Sequence, residues 1–251
     1  MNDSMGAPGE APVSGWVPPA PPAPKAFRSA ATRAKWAVGA LAIVAALDVA
    51  TLWVDVSGLS LVDSIRAGTA TLEEANAWDT LNGSVAIISL VALILSVFGY
   101  LAWLSRAVEN APALGAGTPP RTPRAAIGWW FVPFASLWVP YTIVRDLHDR
   151  LGAAGDALGR PLLRAWWAFW LLSSWAGNAV GRLWLRTETL DDLGRAIGFD
   201  VATSVLDVVA AILAIAVVRR IQAREDRRAD TLPGQPNTLG LVGGQGTFGG
   251  A

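Results

Sequence analysis

Two apolar runs dominate the chain, Trp36–Val54 and Val85–Leu104, nineteen and twenty residues long. Only Asp48 and Thr51 interrupt the first, and Ser89 and Ser96 are the only serines or threonines in the second. A helix rises about 1.5 Å per residue, so either run can cross a hydrocarbon core of roughly 30 Å. Val201–Val218 is a third run of this kind. A fourth, Ala165–Val180, is rich in tryptophan and slightly short, and it is completed by Leu162, Leu163 and Leu183–Leu185. The pattern predicts an all-α integral membrane protein with four transmembrane helices, at about 36–54, 85–104, 163–184 and 201–218.

The polar stretches between these runs predict the connections. Residues 55–84 are acidic, with Arg66 the only basic side chain, and Thr71-Leu-Glu-Glu74 has the form of a capping box that starts a short helix. Thr189-Leu-Asp-Asp192 repeats that pattern before the last run. A shift of 118 residues lays one box on the other and suggests a parallel repeat, although ordinary hairpin construction explains it nearly as well. Residues 105–126 read as a basic loop, Arg145–Arg150 as a charged helical turn or two, and residues 152–161 as a loop. Residues 1–33 hold seven of the sixteen prolines and are expected to be a disordered tail, with no signal peptide. Residues 34–228 form the membrane domain, and 229–251 are a second, Gly-rich disordered tail.

Residues 127–144 break the simple pattern. Gly128, Trp129 and Trp130 open an apolar stretch that runs through Trp138 to Tyr141, yet it carries Pro133 and Pro140. Each proline removes a backbone donor and disfavours helix at the preceding residue, so a smooth spanning helix is not expected. The arginines agree. If this stretch does not cross, sixteen Lys/Arg fall on the side of the N-terminus and four on the other; if it crosses, the division is ten and ten. Basic residues in short loops prefer the cytoplasm, so the expectation is four spans with both termini cytoplasmic in the cell membrane. The proline-broken segment is then re-entrant or interfacial, with its prolines against the helical bundle and not in lipid.

Composition narrows the chemistry. Only 16% of residues are charged, and twenty acidic residues balance twenty basic ones, which gives no global field for nucleic acid. There is no cysteine, which removes disulfides, thiolate catalysis and cysteine metal sites. Eighteen of the basic residues are arginine, a bias that fits a GC-rich genome.

The sequence Gly128-Trp-Trp-Phe-Val-Pro-Phe-Ala-Ser-Leu-Trp-Val-Pro-Tyr141, followed by Val144-Arg-Asp146 and Trp166-Trp-Ala-Phe-Trp-Leu-Leu-Ser173, closely resembles an uncharacterised family of multi-pass actinobacterial membrane proteins. That family is a domain of unknown function marked by Gly-Trp-Trp-Phe-Val-Pro, then Leu-Trp-x-Pro-Tyr. The resemblance covers residues 35–225 and implies a fold and a location, but no activity.

Four polar positions inside the runs call for a partner. Asp48 and Asp207 would each lie roughly 10 Å below the outer surface, with Asn178 and Arg182 at similar depth. A charge there costs about 2.5 to 3.5 kcal/mol, so such residues face the bundle and pair. Asp48, Asn178, Arg182 and Asp207 are therefore expected to cluster, either as a salt bridge that fixes helix register or as an ion, proton or small-solute site. Gly177 and Gly181 permit close helix contact, inside the bundle or by self-association with a second copy. Trp36, Trp103, Trp166 and Trp167 are expected at the inner membrane interface and Trp53, Trp78 and Trp184 at or near the outer one, and interfacial anchoring is favoured over an aromatic pocket for the pairs Trp129–Trp130 and Trp166–Trp167. The only histidine, His148, reads as part of a solvated helix face. No catalytic set, cofactor motif or metal motif is recognisable. The favoured reading is a non-enzymatic scaffold or interaction module partnered by the lipid bilayer and other membrane proteins. The alternative is a small transporter or channel-like protein that uses the polar cluster.

Overall fold

The computed structural model describes residues 26–152 and 159–232. The described residues form six α-helices and no strand: α1 (Ala31–Arg66), α2 (Leu72–Asn110), α3 (Pro123–Gly128), α4 (Val139–Leu151), α5 (Gly159–Trp184) and α6 (Leu190–Ala229). A 3₁₀ turn, Ala135–Leu137, precedes α4. Most of each expected tail, residues 1–25 and 233–251, lies outside the described residues, as does 153–158 of the expected 152–161 loop. The helix expected from about residue 36 begins earlier, at Ala31.

Both capping boxes form. The Thr71 hydroxyl accepts from the Glu74 N–H at 3.2 Å while the Glu74 carboxylate accepts from the Thr71 N–H at 2.8 Å. Thr189 and Asp192 repeat the exchange at 3.1 and 3.2 Å. They do not start short separate helices, however. α2 and α6 run unbroken from their boxes for 39 and 40 residues. No proline falls between Leu72 and Asn110 or between Leu190 and Ala229, and the polar Glu, Ala, Leu and Arg positions are strong helix formers. The expected polar linkers are thus the first turns of the long helices. For the same reason α2 continues six residues past Leu104, into the stretch expected to be a basic loop.

Three helices, α1, α2 and α6, are long and apolar enough to cross a membrane. The middle of α2 is exposed on most of its circumference, at Ile87, Ile88, Val91, Ile94, Leu95 and Phe98, a distribution that suits lipid contact. The 26 residues of α5 extend about 39 Å, but its tryptophans, serines, glycines and Asn178 reduce its apolar character and leave it outside that set.

α1 packs between α2 and α6, and α5 packs on the other side of α6. α2 and α5 do not pack along one another, which leaves a slot between them. The α1–α2 and α5–α6 turns lie at one end of the bundle, the hairpin end. The other, basic end is closed by α3, the 3₁₀ turn and α4.

The prolines shape that closure. Residues 129–134 form turns in which Phe134 takes φ 60°, ψ −48°, an uncommon conformation for a non-glycine residue. Pro140 sits in the first turn of α4, where its missing donor costs nothing, and it is buried as expected. Pro133 is not against the bundle. It is exposed together with Phe131, Val132 and Phe134. The indole N–H of Trp167 on α5 donates to the Leu137 carbonyl at 3.0 Å and pins the 3₁₀ turn to the bundle. The C-terminal carbonyls of α4 are satisfied from α6: Arg224 donates to His148 O at 2.7 Å and Arg228 to Leu151 O at 3.2 Å. His148 is consequently buried and not on a solvated face, because the whole Val144–Leu147–His148–Leu151 face of α4 packs inward. Burial pushes its pKa down, and Arg224 and Arg220 add to this, against the opposing effect of Asp149 at 3.2 Å.

Candidate binding cavity

A cavity of about 920 Å³ occupies the space enclosed by α1, α2, α5 and α6. Its size is in the range of small-molecule sites. α5 supplies a continuous stripe to its wall: Trp166, Trp170, Ser173, Gly177, Arg182 and Leu185 recur at helical spacing. The side chains there are small over the middle of the stripe, and α6 faces them with Ala210, Ala211 and Ala214. The space exists because both helices present small residues to it. From Trp166 to Leu185 the wall rises about 28 Å.

The two ends of this wall differ. At the basic end Tyr100, Trp130, Trp166 and Trp170 form an aromatic floor. Tyr100 and Trp130 meet edge to face with centroids 5.5 Å apart, and Trp130 meets Trp170 in the same way at 5.4 Å. Trp167 and Trp170 stack at 4.7 Å. Trp103, Trp166 and Trp167 are buried in this cluster, so they do not face lipid as an interfacial belt would. Residues on adjoining helices converge here, and each ring buries more area against the others than at a surface. Among the described residues, Trp36, Trp53, Trp138 and Trp175 are the exposed indoles.

All four residues of the expected polar cluster line the cavity. Asp48 and Asp207 lie within electrostatic reach of each other across the α1–α6 seam, and Ser173 on α5 reaches the Asp207 carboxylate. Asn178 donates to Ser174 O of its own helix at 2.7 Å, one turn from Arg182. No salt bridge joins Arg182 to either aspartate among the described residues. A salt bridge that fixes register, one form of the sequence expectation, is therefore corrected. Gly177 and Gly181 also line the cavity, and nothing lies within 4 Å of where a Cβ would stand at either. They open space instead of admitting a neighbouring helix, which corrects the expected packing inside the bundle.

The strongest chemical feature is one that sequence reasoning did not find. Four buried polar atoms have no hydrogen-bond partner and belong to cavity-lining residues: Asp48 Oδ2, Ser89 Oγ, Tyr100 OH and Trp130 Nε1. Buried polar groups in native proteins are nearly always paired, so four such groups around one cavity set this part of the bundle apart. Tyr100 is only 7% exposed. No group of three or more His, Asp or Glu side chains among the described residues has the arrangement of a metal site.

Comparison with curated proteins and with solved structures returns no match. A family model does match, covering residues 66–223 and so including α2 to α5 and most of α6. On that match, this chain belongs to the family described as a domain of unknown function, DUF4328.

Proposed function

We propose that this protein is a non-enzymatic, multi-pass cell-membrane protein that binds an amphipathic amine in the cavity between α2 and α5, as a small transporter does. α5 is the fourth span in this reading, both termini are cytoplasmic, and the segment 127–144 is re-entrant from that side. The observation that carries the reading is one large, mostly apolar cavity whose lining includes the carboxylates of Asp48 and Asp207 and the aromatic rings of Tyr100, Trp130, Trp166 and Trp170. Two carboxylates against one guanidinium favour a cationic head. The aromatic floor suits an apolar body and adds cation–π attraction. The slot between α2 and α5 gives a membrane-dissolved ligand a lateral way in. An interaction module would instead present its polar residues outward, and these point inward.

A brominated alkylamine tests the reading, because bromine quenches nearby indoles. With the full chain in lipid nanodiscs, the amine should quench tryptophan fluorescence saturably, whereas a brominated alkyl carboxylate of equal length should not. Asp48→Asn combined with Asp207→Asn should remove the saturable component. Equal quenching by both probes, or unchanged quenching in the double variant, would overturn it.

A further inference from the structure

The α1–α6 seam contains more acid than the cavity uses. Two contacts fix how these antiparallel helices align. Arg66 Nη2 on α1 donates to Asp191 Oδ1 on α6 at 2.6 Å, and a Cβ at Gly194 would stand 3.6 Å from Val62 Cγ1. Stepping from Val62 back seven residues along α1 and from Gly194 forward six along α6 brings Asp55 beside Asp200. Seven further residues on each helix bring Asp48 beside Asp207. The two carboxylate pairs are thus one heptad apart, about 10 Å along the seam.

Asp55 is not an ordinary surface acid at a helix end. It is fully buried, and both its carboxylate oxygens lack a hydrogen-bond partner. Its surroundings are defined on each side. Asp200 faces it from α6, and that side chain accepts from Trp184 Nε1 of α5 at 3.3 Å. From α2, Trp78 covers the seam by lying against Gly58 and donating to Val54 O at 2.9 Å. No cation stands in this arrangement to neutralise Asp55. Asp200 is only half-buried.

Ten ångströms is too far for one proton hop between the pairs, and the same register fills the gap. Thr51 on α1 and Ser204 on α6 fall opposite each other midway, and Ser204 is buried in the seam. A hydroxyl can accept a proton on one side while it donates on the other. The order along the seam is carboxylate pair, hydroxyl pair, carboxylate pair, and the last pair forms part of the cavity wall.

We propose that the α1–α6 seam conducts protons between the hairpin end of the bundle and the cavity, through Asp55/Asp200, Thr51/Ser204 and Asp48/Asp207. This rests on the membrane placement and cavity reading above. In each step the O–H bond of a protonated carboxylic acid or hydroxyl breaks as a new O–H bond forms on the next oxygen. Water at the hairpin end supplies the proton, and Asp48 or Asp207 receives it. A protonated pair no longer holds an ammonium head, so arrival of a proton releases the amine, and its departure permits binding.

The test uses the full chain reconstituted into liposomes that trap a pH-sensitive dye, with a potassium diffusion potential set by valinomycin. The wild-type protein should take up protons faster than protein-free vesicles. Asp55→Asn, an isosteric change outside the cavity, should slow uptake by roughly tenfold or more, and Asp55→Glu should restore most of it. Quenching by the brominated alkylamine should persist in Asp55→Asn. Wild-type uptake no faster than that of protein-free vesicles, or full uptake in Asp55→Asn, would overturn the proposal. If Asp55→Asn does not elute as a folded protein, Ser204→Ala takes its place, with slowed uptake expected and unchanged uptake overturning. Asp55-dependent uptake without amine quenching would sink the amine reading alone. Quenching without uptake would sink the proton path alone.

Discussion

Arg66 at the end of α1 and Asp191 in the first turn of α6 form an ion pair of 2.6 Å across 125 residues of sequence. Both side chains are largely exposed, so the pair contributes little to stability. Its value is positional, since it marks the register of the longest helix contact in the bundle. The absence of cysteine allows that register to be measured directly. Val62→Cys with Gly194→Cys should cross-link under mild oxidation, because the Cβ position at Gly194 meets the Val62 side chain at 3.6 Å, within the reach of a disulfide. Val62→Cys with Gly198→Cys, one turn further on, should not. Gel mobility with and without reductant distinguishes them, and the reverse pattern would shift the acid pairs out of alignment.

Gly177 offers a way to fill the cavity without disturbing the packing around it. No atom lies within 4 Å of its Cβ position, so Gly177→Leu places a branched side chain in the cavity and not against a neighbour. The substitution also replaces a poor helix former, a gain of roughly 0.5 to 1 kcal/mol in a helix interior. Amine quenching should fall severalfold while the melting temperature in nanodiscs stays level or rises. A drop in both would show that the helices close on this position.

The sequence made the apolar runs, the caps and the proline break legible because each depends on local chemistry. Thr71 and Thr189 bond to residues three positions on, and Pro140 acts on its own turn. Helix continuity through the polar stretches was not legible, since no breaker marks an end there and hydropathy alone reports only the membrane-depth part. The cavity was half legible. Asp48, Asn178, Arg182 and Asp207 stood out as charges or amides in apolar runs, but Ser89, Tyr100 and Trp130 are unremarkable until tertiary packing removes their partners. Asp55 and Asp200 looked like ordinary residues at span ends. Their spacing of seven from Asp48 and Asp207 was the available signal, and it gains meaning only once α1 and α6 are known to be antiparallel neighbours.

At the basic end Glu225 should control stability as a function of pH. It is fully buried, and its Oε1 accepts from Asn110 Nδ2 at 2.5 Å, while the same Asn110 amide donates to Arg28 O at 2.8 Å. Burial raises its pKa from 4.5 to about 7, against the opposing effect of the Asn110 hydrogen bond. The folded state therefore binds a proton that the unfolded chain releases between these two values. Stability from this group is present below about pH 4.5 and is lost as pH rises through about 7. The loss is on the order of 3 kcal/mol. Glu225→Gln keeps the acceptor for Asn110 and removes the charge, so the wild-type minus variant difference in melting temperature should grow more negative across that window. A difference that is flat with pH would mean Glu225 stays ionised when buried.

Whether α5 crosses the membrane decides everything built on the cavity, and Glu188 in the α5–α6 turn reports it. If α5 crosses, Glu188 lies on the same side as Thr69 in the α1–α2 turn. If α5 lies along the membrane instead, Glu188 lies with Thr118 on the cytoplasmic side. All three positions are exposed, and none has a backbone conformation that a cysteine would strain. Single Thr69→Cys and Glu188→Cys variants should react with an impermeant thiol reagent in intact cells. Thr118→Cys should react only after permeabilisation. The arginines make this the expected result: a crossing α5 leaves Arg106 to Arg164 and Arg219 to Arg228 on one side, with only Arg66, Arg182, Arg186 and Arg195 on the other. Protection of Glu188→Cys in intact cells would put α5 along the cytoplasmic face, open the cavity to that side, and leave the acid seam with no second compartment to connect.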